Sequence, residues 1–185
     1  MSRSRLHTGD KGAALVESAL VLAILLVLAV GAFEFGMAFR DWLSVSSATR
    51  EGARVAASAG PVDAADCAIL EATAGSLLSI DGGRIRLVDI FQANSAGDPI
   101  GSFQTYRPFD SSTDDSANLR CTSWFAVNET GYPPAGRDNL GADRDWIGVR
   151  LEFEHSWKTG FLWWSGSVDW SDRTIVLMEP EPDPG

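Results

Sequence analysis

Cations, cysteine and histidine are all scarce in this sequence. It has 15 Lys and Arg against 25 Asp and Glu, two cysteines and two histidines in 185 residues. The net charge of -10 argues against a nucleic-acid binder, because phosphate contacts need clustered Lys and Arg. With only Cys67 and Cys121, zinc-ligand spacing is absent. With only His7 and His155, no motif supports a Ser/His/Asp or Cys/His arrangement, so no catalytic site, cofactor or metal is expected. Charge is missing altogether from Ser18 to Phe33, a run hard to reconcile with a fully cytosolic protein. Aromatics are not lacking: 7 Trp and 9 Phe exclude a disordered chain. The length suits one domain beyond any anchor.

The first forty residues read as a membrane signal. Residues 1–12 carry Arg3, Arg5 and Lys11 against Asp10, so a basic leader precedes the apolar run. Positive charge beside a hydrophobic segment stays on the cytoplasmic side, which puts the C-terminal part outside the cytoplasmic membrane. Ala13 to Phe33 makes about 31 Å of helix at 1.5 Å per residue, close to a hydrocarbon core of ~30 Å. Leu, Ala and Val interleave there without Pro, which favours helix.

Three kinds of N-terminus fit such a run. A cleaved secretory signal has an apolar region of about 7–15 residues, and this one is longer and continues in helical pattern through Phe39, Leu43 and Val45. A plain signal anchor explains length and orientation but not Glu17. A carboxylate near the start of a membrane helix is costly unless it snorkels to the headgroups, and is a functional candidate by default. The third kind follows from spacing. If the chain is cut between Gly12 and Ala13, Glu17 becomes the fifth residue of the mature protein. A basic leader, Gly, four apolar residues, Glu and an apolar helix resemble a type IV prepilin processing site.

The likeness extends through Glu34-Phe35-Gly36 and Ala48-Thr49-Arg50-Glu51-Gly52-Ala53-Arg54. From Gly12 to Ala57 the chain resembles the TadE-like family, the minor pilins or pseudopilins of tight-adherence (Tad/Flp) pilus systems. It departs from the family pattern at Ser18, where a bulky or aromatic residue is usual, and in lacking Pro within the apolar run. The resemblance implies a single-pass subunit cut by a prepilin peptidase, embedded in the lipid bilayer and working with other pilin or pseudopilin subunits and the pilus assembly machinery. It also implies a role for Glu17: its carboxylate would pair with the new α-amine of Ala13 on a neighbouring subunit and set axial register in a low-dielectric setting.

The residues past the apolar run have quieter readings. Glu34 falls where the helix leaves hydrocarbon, with Arg40, Asp41 and Trp42 next, which suits the outer interface or a contact between subunits. Arg50 and Arg54 lie at i, i+4 beside Glu51, a solvated face with weak ion pairs. Ala48, Gly52, Ala53 and Ala56 allow close packing against the chain's own domain or a partner.

Gly60-Pro61 should stop the helix, making residues 13–59 one rod with 13–33 in the membrane. Residues 60–185 then form an extracytoplasmic α+β domain, with the long N-terminal transmembrane helix packed on a small antiparallel sheet in a pilin-like way. A second helix is expected over 62–78 and strands over 84–93, 101–107, 124–127, 146–157 and 172–178. The 146–157 strand alternates best. Ile147, Val149, Leu151, Phe153 and His155 share one face, with Arg150, Glu152 and Glu154 on the other. His155 reads as a satisfied core or edge residue. A Cys67–Cys121 disulfide is plausible outside the membrane, with two buried thiols as the alternative. The Asp110/Asp114/Asp115 and Asp143/Asp145 clusters read as solvated acidic loops, since the full calcium-loop spacing is missing. Phe161-Leu162-Trp163-Trp164 is either a hydrophobic core plug or an exposed patch that docks a subunit or rests on the membrane. Two other functions compete with the pilus reading: an anchored extracytoplasmic binding or sensor module, and a secreted hydrolase released by signal peptidase.

Overall fold

The structure is a computed structural model and describes residues 9–77, 80, 82–108, 121–141, 143–160 and 165–180. The first helix, α1 (Gly9–Ala59), is unbroken over 51 residues, a rod of about 76 Å. No Pro interrupts it, and it ends where Gly60 takes a left-handed φ of 61° ahead of Pro61. One of its orphan terminal carbonyls, that of Ala57, accepts the Glu179 N–H at 2.8 Å, so the end of the described chain caps the helix top.

A short α2 (Ala65–Gly75) packs on α1, followed by β1 (Ile85–Ala93), β2 (Pro99–Pro108), β3 (Trp124–Asn128), β4 (Trp146–Ser156) and β5 (Ser167–Leu177). The strands form one antiparallel sheet in the order β3-β2-β1-β4-β5. α1 lies across β4 and β5. The core between helices and sheet holds Val45, Ala48, Ala53 and Ala56 from α1, Ile69 and Leu70 from α2, and Val88, Ile90, Ile147, Val149, Leu151 and Phe153 from the sheet. This is the α+β arrangement expected from the sequence: a long apolar helix on a small antiparallel sheet.

Two elements differ in extent from the sequence pattern. α2 spans 65–75 rather than 62–78: it begins after a turn in which the Ala65 N–H bonds the Val62 carbonyl, and no side chain caps it. Its buried face is Asp66, Ile69, Leu70, Thr73 and Ala74, and Cys67 sits at its edge. β5 begins at Ser167 rather than 172, because it pairs with β4 all the way from Ser156↔Ser167 to Trp146↔Leu177. The β4 alternation is as read: Ile147, Val149, Leu151, Phe153 and His155 are all fully buried.

Close approach of α1 to the layer beneath depends on Gly52. A Cβ there would lie 2.1 Å from Thr73 Oγ1 and 3.3 Å from Val149 Cγ1. The Thr73 hydroxyl is itself fixed by donating to the Ile69 carbonyl at 2.7 Å. Gly52→Val should therefore destabilise the domain by about 1–3 kcal/mol through overpacking. Thermal melting of the detergent-solubilised chain followed by near-UV circular dichroism checks this, and an unshifted melt would show that the interface can spread without cost.

Candidate functional site

The long helix has two regimes along its length. From Gly12 to Val30 no residue is buried, and the leucines and valines of this stretch stand largely exposed. This end is long and apolar enough to cross a membrane. Ala13 and Glu17 lie on it, exposed, with Gly12 just before them. Ser18, the polar residue at the start of the apolar run, turns its hydroxyl back onto the Ala14 carbonyl at 2.7 Å. That bond satisfies the hydroxyl without water.

Burial begins at Gly31 and then follows a stripe: Glu34, Ala38, Asp41, Val45, Ala48, Thr49, Gly52, Ala53, Ala56 and Ala57. Steps of three and four residues keep this stripe on one helix face. Three of its members are polar and about two turns apart, and each meets a partner on the sheet layer. Glu34 accepts the backbone N–H of Lys158 at 3.1 Å and that of Thr159, so its carboxylate caps the bend that follows β4. Asp41 accepts from the Arg84 guanidinium and lies 2.8 Å from His155 Nδ1. Arg84 also donates to the Glu154 carbonyl at 2.8 Å, joining helix, β1 approach and β4. Thr49 Oγ1 donates to Asp172 Oδ2 at 2.9 Å and lies 3.1 Å from Thr174 Oγ1 on β5. Glu34, Asp41 and Thr49 are all essentially buried. Their hydrogen bonds offset the cost of desolvation and fix one register of helix against sheet, since a one-turn slide would strand every polar group.

This places the sequence-derived residues in two groups. Glu34 and Gly52 face inward and hold the domain on the helix. Arg50 and Arg54 face outward, with Arg54 paired to Glu51 at 2.5 Å on an exposed surface. Such an exposed pair adds little stability. Phe35 and Gly36 lie on the exposed side, with the Phe35 ring edge-on to Trp157 at 6.4 Å. The intramolecular use of Glu34 was in neither reading of the sequence, interfacial or inter-subunit. Its partners are more than 120 residues away, so no local signal marks them.

His155 is enclosed, fully buried, stacked on Trp170 at 5.0 Å and edge-on to Trp157 at 4.9 Å. A second buried cluster lies at α2, where Asp66 accepts from Arg137 and from the Tyr106 hydroxyl at 2.5 Å. Asp145 receives the Tyr132 hydroxyl at 2.8 Å, the Asp138 N–H at 2.9 Å and Gln92 at 2.6 Å, so this half of the Asp143/Asp145 pair is a structural acceptor. Cys67 and Cys121 form a disulfide, Cα to Cα 5.0 Å, that ties α2 to the segment before β3. Among the described residues, no group of three His, Cys, Asp or Glu side chains could hold a metal ion. Asp110, Asp114, Asp115 and the segment Phe161-Leu162-Trp163-Trp164 lie outside the described residues.

No curated protein and no solved structure matches the chain. A family model described as TadE-like protein does match, over residues 12–54. The match takes in the bare stretch with Glu17, the three polar contacts of the buried stripe and the outward Arg50/Arg54 pair, and stops short of the sheet. Over those residues the resemblance read from the sequence holds: residues 12–54 of the long helix are similar to TadE-like proteins.

Proposed function

We propose that this chain is a minor pilin or pseudopilin, a non-enzymatic structural component in the assembly of a tight-adherence pilus. The observation that carries the reading is the bare helix end, with Glu17 five residues beyond Gly12 on a stretch that the chain's own domain leaves uncovered. In this reading a prepilin peptidase cuts between Gly12 and Ala13 on the cytoplasmic side. The Ala13 α-amine then needs a counter-ion in lipid, and Glu17 of a neighbouring subunit supplies it. Each charge is favourable there only with the other present. The domain at residues 60–185 stands outside the cytoplasmic membrane. The TadE-like match supports the pilus association, and the apolar helix supports the anchor.

N-terminal sequencing of the membrane-extracted chain, made with and without a prepilin peptidase, tests the reading. A peptidase-dependent start at Ala13 is expected. An intact leader under both conditions would leave a permanent anchor and favour a binding or sensor module instead. Glu17→Ala should leave the melting of the domain unchanged, because Glu17 lies more than three helical turns below the first buried residue. It should abolish incorporation of the chain into pilus-associated complexes, read by co-purification. A variant that assembles normally would remove the charge-pairing mechanism.

A further inference from the structure

At the lower end of the domain the exposed side of α1 and the start of β5 enclose an open groove of about 900 Å³. Its walls are Phe35, Gly36, Phe39, Trp42 and Trp170, with Asp169 at the rim. Phe35 is 59% exposed, Phe39 62% and Trp42 39%, an aromatic surface on an otherwise acidic domain. We propose that this groove seats on the outer surface of the lipid bilayer and takes up the boundary between headgroups and acyl chains. The proposal rests on the reading of residues 13–33 as the membrane span.

Two features of the fold set the height of the groove. First, the domain begins to cover the helix at Gly31, so the uncovered stretch from Gly12 to Val30 is about 28 Å long, against ~30 Å of hydrocarbon. No length of helix remains as a spacer between membrane and domain. Second, Glu34 holds the backbone of Lys158 and Thr159, so the bend after β4 is level with the helix turn that leaves the hydrocarbon. Lys158 is exposed at that level, where an ammonium group can meet lipid phosphates. From Phe35 to Trp42 the helix rises about 10 Å, enough to cross the roughly 5–7 Å headgroup region on one side of a bilayer. Phe and Trp rings with a polar rim suit that layer, since Trp in particular concentrates at membrane interfaces. A rod that continues without a break from the span into the groove wall holds these rings at the lipid surface.

Tryptophan quenching tests the proposal directly, because the helix carries no Trp below Trp42. The full chain is placed in phosphatidylcholine–phosphatidylglycerol nanodiscs whose acyl chains are brominated near the headgroup. Emission should fall relative to unbrominated discs, and the fall should be clearly smaller in the Trp42→Phe/Trp170→Phe variant, the remainder coming from Trp157 beside Phe35. Phe39→Ser, at an exposed position, should weaken the quenching while leaving the near-UV circular dichroism intact, which keeps the result independent of any folding defect in the double variant. Equal quenching in the wild type and the double variant would overturn the proposal. So would protection of Trp42 and Trp170 that grows with the number of chains per disc, since a second copy would then be the occupant. A chain that does not co-elute with the discs would bring down the anchoring reading itself, and the lipid seat with it.

Discussion

Asp41→Ala is expected to lower the stability of the domain by about 3–5 kcal/mol, the usual cost of removing one partner from a buried ionic group. The Asp41 side chain is only 3% exposed and serves two partners, Arg84 and His155. Without it, the Arg84 guanidinium keeps the Glu154 carbonyl but has no other ion-pair partner among the described residues. His155 loses the bond at Nδ1, and its Nε2 has no hydrogen-bond partner among the described residues. Held between Trp157 and Trp170, the ring cannot turn to water for compensation. The melting temperature of the solubilised chain should drop by on the order of 10 °C. Asp41→Asn keeps an acceptor oxygen but not the charge, so it should recover only the part of the loss that comes from the missing hydrogen bonds, which separates that part from the effect of the charge. An unshifted melt in both variants would mean that the polar contacts between helix and sheet add nothing to stability.

Asp66→Ala should cost a similar amount, about 3–5 kcal/mol, at the other end of the domain. The Arg137 side chain is fully buried, and its Nε and Nη1 have no hydrogen-bond partner among the described residues. Its Nη2 meets Asp66 and, at 3.3 Å, the Tyr132 carbonyl. Asp66 is therefore the charge that makes this guanidinium tolerable, and its loss strands a buried cation. The same cluster gives an alkaline signature. Burial first, then the hydrogen bond to Asp66, push the Tyr106 hydroxyl well above the ordinary tyrosine range, and burial with Asp145 does the same to Tyr132. A raised folded-state value means that this share of stability is fully present below about pH 10 and is lost as pH climbs beyond it. These are the only tyrosines in the chain. Tyrosinate absorbance should thus rise together with loss of near-UV circular dichroism, and at lower pH in Asp66→Ala than in the wild type. Ionisation of either tyrosine in a domain that keeps its near-UV signal would contradict the burial argument.

Features that depend on local pattern were legible in the sequence, and features that depend on distant partners were not. The apolar run, its end at Gly60-Pro61 and the period-two alternation from Ile147 to His155 are local, and the structure follows them. Glu34 looks like a surface carboxylate at a membrane boundary because it ends the apolar run and Arg40, Asp41 and Trp42 follow. Its actual partners, two backbone amides beyond β4, carry no sequence signature. The early part of β5 was obscured for a related reason. Its first residues, Ser167 to Ser171, offer only Val168 and Trp170 as apolar alternating positions, and the next two on that face, Asp172 and Thr174, are polar and meet Thr49, so the alternation breaks off before it marks a strand. The small residues Ala48, Gly52, Ala53 and Ala56 pointed to close packing without saying against what. The structure shows the chain's own α2 and sheet to be the answer.

The geometry of the helix–sheet contacts has a mechanical meaning. Glu34, Asp41 and Thr49 lie along the axis of one rod, and the rod's top is tied by the Glu179 amide to Ala57. Tension applied along that axis puts all of these attachments in shear, so they share the force and must yield together. Tension applied across it would peel them one after another. A chain built this way is strong along the helix axis and weak at right angles to it.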